Sequence, residues 1–144
     1  MLNTVSIGDI GESIALTYFL KNNCIVSKPV SNNARYDFIV EIKEKLYKVQ
    51  VKTTEHIKDG KMEFATKTTN YRKGSWESTR YLANEVDIFF LYCLENDWCG
   101  LYFPETDKIL TGLTLRLEPT KNNQTKGIRF AKDYEFSKQF ALVV

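Results

Sequence analysis

The chain has 144 residues, 43% hydrophobic and 26% charged, which is enough for one core and ordinary for a soluble globular protein. Its longest apolar run, "IFFLYCL", is far shorter than a membrane span, and the N-terminus lacks the basic-then-apolar order of a secretory leader. A cytoplasmic protein forming a single domain over residues 1–144, with no membrane partner, is therefore expected. One histidine, His56, and three irregularly spaced cysteines, Cys24, Cys93 and Cys99, argue against a His-based zinc site, a Ser-His-Asp triad and a disulfide framework.

The first element is a helix from Ser6 to about Asn22. Ile7, Ile10, Ile14 and Tyr18 recur at helical spacing, and Asp9 and Glu12 sit early, where the helix dipole favours acids. Gly8 and Gly11 are poor helix formers and imply close packing against a sheet. "CIVSKPV" is a short strand stopped by Pro29, and "SNNAR" is a turn. "YDFIVEIK" and "LYKVQVKT" form a hairpin about Glu44-Lys45. "DGKMEFAT" gives a turn and a shorter strand, "KTTNYRKGSWESTR" a loop, and "TRYLANEV" a short helix. "DIFFLYCL" and "WCGLYFPE" form a second hairpin, and "ILTGLTLRL" is a weaker strand. "KNNQTKG" is a loop, and "KDYEFSKQFALVV" is a short final helix. This order predicts an α/β fold: an N-terminal helix, then a mixed, mostly antiparallel sheet flanked by helices.

The net charge of +2 hides a split. Residues 43–80 carry ten Lys/Arg against five Asp/Glu, whereas the segments on either side are mildly acidic. A localised excess of this kind fits a polyanion-binding face. In "KTTNYRKGSWESTR", Lys67, Arg72, Lys73 and Arg80 can anchor phosphates, and the interleaved Tyr71 and Trp76 can read or wedge bases.

Gln50 and Lys52 lie two apart on a strand, so their side chains share a face. That face is either the wet side of an edge strand or the wall of a site. The hairpin brings Asp37 from the preceding strand near Val51 to Thr53. A carboxylate flanked by Tyr36, Phe38 and Ile39 needs a partner, which Lys52 or a metal would provide.

At Asp37, Gln50 and Lys52 the sequence resembles the PD-(D/E)XK nuclease superfamily. "YD" is followed by "QVK", and "GDIGESIA" places Glu12 on the first helix. The combination with "VDIFFLY" looks most like the branch of group I intron homing endonucleases and is similar to the archaeal Holliday-junction resolvases, over roughly residues 6–103. Tyr36 replaces the family's proline, and Gln50 replaces its second carboxylate. The resemblance implies a restriction-endonuclease-like fold and a site-specific, metal-dependent endonuclease acting on double-stranded DNA. Asp37, Gln50, the Val51 carbonyl and Glu12 would hold Mg²⁺, with Mn²⁺ as a substitute and no organic cofactor. Glu12, Asp37, Gln50 and Lys52 would form the catalytic set. Two antiparallel DNA strands call for two copies of that set, hence a homodimer or homotetramer. "DIFFLYCL" with Trp98, Leu101, Tyr102 and Phe103 is the expected contributor to the interface. The competing readings are a Holliday-junction resolvase or restriction-like nuclease on the same fold, and a catalytically silent DNA-binding module, which Gln50 permits.

Overall fold

The computed structural model describes residues 1–72, 74–80, 85–104 and 112–144; for residues 67–72 and 75–80 it describes the backbone alone. Helix α1 (Thr4–Lys21) begins where Asn3 Oδ1 accepts the Ser6 N–H at 2.9 Å. The helix thus starts ahead of the expected Ser6. Asp9 and Glu12 fall beyond the first turn, which holds no acid, so the dipole does not account for them. Asn22 caps the other end, and Asn23 follows in the left-handed region at φ +60°.

Among the described residues nine strands follow: β1 (Ile25–Ser27), β2 (Phe38–Ile42), β3 (Lys45–Thr54), β4 (Lys61–Ala65), β5 (Lys67–Arg72), β6 (Ser75–Arg80), β7 (Ile88–Cys93), β8 (Trp98–Tyr102) and β9 (Gly112–Arg116). A short helix, α2 (Phe136–Phe140), closes the chain. The main sheet runs β1-β2-β3-β7-β8, with β3 and β7 parallel and the other pairs antiparallel. The pairs β4-β9 and β5-β6 form separate two-stranded sheets.

Alternation along the strands divides the core between the two faces of the main sheet. Phe38, Val40, Val49, Val51, Ile88, Phe90 and Leu101 meet Ala15 and Phe19 of α1 and Phe136 and Phe140 of α2. Phe19, Phe90 and Phe136 pack ring to ring at 5.6–6.0 Å. On the other face, Phe89, Leu91, Cys93 and Tyr102 meet Met62, Phe64, Leu113 and Leu115 of β4 and β9. Every residue of β7 is buried, as expected of a central strand covered on both faces.

This burial corrects one expectation. Ile88–Cys93 of "DIFFLYCL" are buried, as are Leu101 at 0% and Tyr102 at 6% exposure, so the segment is mainly core, whereas Trp98 and Phe103 are partly exposed. The three cysteines are free and buried, as read from their context. A second correction concerns "KTTNYRKGSWESTR", which is a hairpin of β5 and β6 paired from Lys67↔Arg80 to Arg72↔Ser75. Its polar composition hid the strands, because neither face reads as apolar.

Candidate active site

Strand β3 is the axis of the site. It pairs with β2 in the register Phe38↔Val49 and Ile42↔Lys45, turning through Lys43 and Glu44 at φ +48° and +68°. The turn therefore lies one residue earlier than expected. Two-residue hairpins need left-handed φ at both turn positions, and glycine or asparagine usually marks them. Here two charged residues do the work, and no sequence signal announces it.

Asp37 directly precedes Phe38, the partner of Val49, and its own N–H donates to the Val49 carbonyl at 2.8 Å, which seats it at the start of β2 beside the middle of β3. Asp37 Oδ2 then accepts the Val51 N–H at 2.8 Å. Alternation places Gln50 and Lys52 on the face of the sheet away from α1, on either side of the Val51 N–H that bonds Asp37. All three are half-buried, as a site wall would be and a fully solvated strand face would not.

Glu12 arrives from α1. Gly11, Ala15 and Phe19 form the helix's buried seam, one turn apart. Any Cβ on Gly11 would collide with Thr53 Oγ1 and lie 3.4 Å from Val51 Cγ1. The helix thus rests on the last turns of β3 because residue 11 has no side chain. Gly8, by contrast, would meet nothing within 4 Å, so the packing explanation holds for one glycine of the pair.

The contact between α1 and β3 brings Glu12 into the field of Asp37. Burial raises the Glu12 carboxyl above its ordinary value, and the Asp37 charge raises it further; Lys28 opposes the shift and Asp9 adds to it. Burial likewise raises Asp37, against the lowering effects of the Val51 N–H, Lys52 and Lys28. Glu12 therefore sits in the field of Asp37, with Lys28 offsetting both carboxyls and Lys52 offsetting Asp37.

The donor set suits a hard divalent cation. It consists of oxygens: two carboxylates, the Gln50 amide and backbone carbonyls. Asp37 Oδ1 is unengaged among the described residues. Among the described residues no third His, Cys, Asp or Glu joins Glu12 and Asp37 to complete a metal cluster, which leaves the amide of Gln50 as the side chain in that place.

Two residues near β3 escaped the sequence reading. Lys28, just past β1, lies with its Nζ 5.4 Å from the centroid of the Phe38 ring, a placement that follows from β1-β2 pairing and that no local spacing reveals. Asp87, read as a strand-start residue outside the site, clamps β3 from the other side: its Oδ2 accepts the Lys48 N–H at 2.8 Å, and its own N–H donates to the Lys48 carbonyl at 2.9 Å. Of the proposed DNA contacts, Lys67, Tyr71 and Arg72 lie on β5 and Trp76 and Arg80 on β6, whereas Lys73 lies outside the described residues.

The helix-on-sheet architecture, with a half-buried acid bonded to a strand that carries an amide and a lysine, is that of a restriction-endonuclease-like fold. A family model described as PD-(D/E)XK endonuclease matches residues 2–137, and the chain belongs to that family. Among solved structures, the fold is similar to that of the bacterial homing endonuclease I-Ssp6803I, with a TM-score of 0.73 and 22% identity over 98% of this chain and 94% of that one. Comparison with curated proteins found no match. Among the described residues no helix is long and apolar enough to cross a membrane.

Proposed function

We propose that the chain is a Mg²⁺-dependent, site-specific endonuclease that hydrolyses phosphodiester bonds of double-stranded DNA, in the manner of a homing endonuclease. The observation that carries this reading is the bond from the Val51 N–H to Asp37, which sets the acid against β3 between Gln50 and Lys52, with Glu12 in the field of Asp37. Glu12, Asp37, the Gln50 amide oxygen and the Val51 carbonyl would hold the cation. Bound there, a divalent ion would supply Lewis-acid polarisation of the scissile phosphate.

The chain's own groups divide the remaining work. Lys52 Nζ orients the attacking water and offsets the negative charge that grows on the phosphorane-like transition state. Asp37, pinned by the Val51 N–H, keeps its second oxygen available to the site. Lys67, Arg72, Lys73 and Arg80 anchor phosphates, while Tyr71 and Trp76 contact bases. Two copies related by a twofold axis would cut the two strands, as a homodimer or homotetramer. Exposed Val5, Leu20, Ile25 and Val30 offer apolar surface for such assembly, at 72%, 54%, 64% and 103% exposure.

The direct test is incubation with Mg²⁺ and a randomised duplex library, sequencing the ends that appear. Defined ends at a recurrent sequence support the reading, whereas an intact library sinks it. Preference for four-way junctions over linear duplex would move the assignment to a resolvase. Gln50 favours one rival, because an amide brings a dipole where a carboxylate would bring charge: a silent DNA-binding module. Gln50→Glu decides the point. Cleavage that appears only in that variant would identify the native chain as a binder.

A further inference from the structure

Outside the site just described, positive charge collects a second time. Between Arg116 and Lys132 stand five basic residues, Arg116, Lys121, Lys126, Arg129 and Lys132, against one acid, Glu118. None of the five makes a salt bridge among the described residues. The fold gathers them. The Arg116 N–H donates to the Arg129 carbonyl at 2.9 Å, and the Leu101 N–H donates to the Tyr134 carbonyl at 2.9 Å. The chain thus leaves β9, loops out through residues 117–128, returns beside its own start and crosses to the edge of β8.

The loop is held by its own polar groups. Thr120 Oγ1 donates to Asn122 Oδ1 at 2.8 Å, the Gln124 N–H donates to the same oxygen at 3.2 Å, and Gln124 Nε2 donates to the Lys126 carbonyl at 3.2 Å. Two of its amide side chains, the type of group that reads base edges, are therefore engaged inside the loop. The cations remain outside. Residues 121–127 are all exposed, and Arg129 and Lys132 lie 6.0 and 5.7 Å from the ring centroids of Tyr102 and Phe130. A ring positions a cation without neutralising it. Arg116 stands directly opposite Lys61 in the β4-β9 pair, a like-charge pairing that sheets ordinarily avoid; Glu63, 3.4 Å from Lys61 Nζ, relieves part of it. A surface that concentrates one sign of charge in this way fits a polyanion.

The side on which this surface lies selects the partner. Leu113 and Leu115 of β9 pack with Phe89 and Leu91 of β7, which are the register partners of Gln50 and Lys52. The β9 layer therefore lies on the same side of the main sheet as the amide and the lysine. A duplex bound on that side can run on from the site to this surface. Resting on the nuclease reading above, we propose that the Arg116–Lys132 surface is a second anchor for duplex DNA, which grips phosphates flanking the cleavage position and reads no sequence. The β5-β6 segment and this surface then hold one duplex at two places.

The full chain is tested with a duplex of random sequence, Ca²⁺ present, by fluorescence anisotropy across a salt series. Lys121, Lys126 and Lys132 are exposed, so exchanging all three for Gln should leave the melting temperature at the wild-type value. That triple variant is expected to lose roughly two to three from the log–log salt slope and to bind about ten- to a hundred-fold more weakly at physiological salt. Exchanging the same three for Arg, which keeps the charge, should leave binding near wild type. So should Lys138→Gln, which removes a lysine already paired with Asp133 at 3.2 Å. An unchanged slope in the Gln variant overturns the anchor. A loss confined to A·T-rich or to G·C-rich duplexes overturns the sequence-independent contact. Loss of binding to a structured RNA, with duplex binding intact, overturns the choice of partner. Wild-type protein that binds no duplex would overturn the nuclease reading itself, a result distinct from an unchanged triple variant.

Discussion

The two hairpins β2-β3 and β5-β6 are built from similar lengths of chain and differ in almost everything else. The first is inserted in the main sheet, with α1 on one face and β7 continuing the ladder beyond Val49. The second is a two-stranded sheet whose ladder, among the described residues, runs between its own strands. The first turns on charged residues in left-handed conformations, and the second reaches Gly74 at φ +80°. The segment Lys67–Arg80 holds four basic residues and one acid. Placement of reacting groups needs walls that do not move, and a hairpin packed on both sides supplies them. Holding a polyanion needs charge and reach, which a separate hairpin can supply. In the proposed reading, chemistry and grip therefore reside on different hairpins and can be broken independently.

The largest effect is expected at β3. Lys52→Ala should slow single-turnover cleavage about a hundred- to a thousand-fold, the usual cost of losing a group that stabilises transition-state charge. Duplex affinity, measured by fluorescence anisotropy with Ca²⁺, should stay within about two- to three-fold, since one phosphate contact among many adds little. Equal losses in rate and affinity would merge the two hairpins into one function.

Next in size is Gly11→Ala. The new methyl group collides with Thr53 Oγ1 and pushes α1 off β3, at a cost of about 1–3 kcal/mol. Thermal unfolding should show the loss. The double variant Gly11→Ala with Thr53→Ala should recover part of it, because the hydroxyl in the way is gone. No recovery would mean that the helix is seated by something other than this contact.

Arg72→Ala combined with Lys73→Ala addresses the second hairpin. Binding should weaken, and the salt slope should fall by roughly two, about one for each lost phosphate contact. The cleavage rate at saturating duplex should not change. A slope equal to wild type would assign this basic segment to solvent.

The smallest effect is on stability. Asp37 has a raised carboxyl in the folded chain, so its contribution is fully present below the unfolded value and is lost as pH rises through the folded one. At neutral pH the ionised group costs stability. Asp37→Asn should accordingly abolish cleavage and raise the melting temperature at neutral pH. The gain should shrink as pH falls towards the ordinary carboxylate range. A melting temperature lowered at neutral pH would show that Asp37 is held mainly for the Val51 N–H.

What the sequence revealed follows from how local each signal is. The alternation in "LYKVQVKT" and the unbroken apolar run of "DIFFLYCL" identify β3 and β7, because strand period and burial are written in neighbouring residues. Asp37 and Lys52 could be paired because a tight hairpin joins their strands. The exact register could not be read, because the turn at Lys43-Glu44 uses residues that normally avoid it. Lys28 depends on pairing between β1 and β2, and the seat of α1 depends on a glycine meeting a threonine more than forty residues away. The strands β5 and β6 pair polar residue with polar residue, which composition alone reads as loop.

The parallel pairing of β3 with β7 also makes the site a late product of folding. Strand β1 and the β2-β3 hairpin draw on contacts between near neighbours in the chain. The other edge of β3 waits for residues 88–93, with β4, β5 and β6 in the intervening loop. Closing a loop of that length costs entropy before its contacts repay it. The Asp37–Gln50–Lys52 wall is thus finished by a distant strand. In the proposed reading, cleavage would have to wait during synthesis until β7 has joined the sheet.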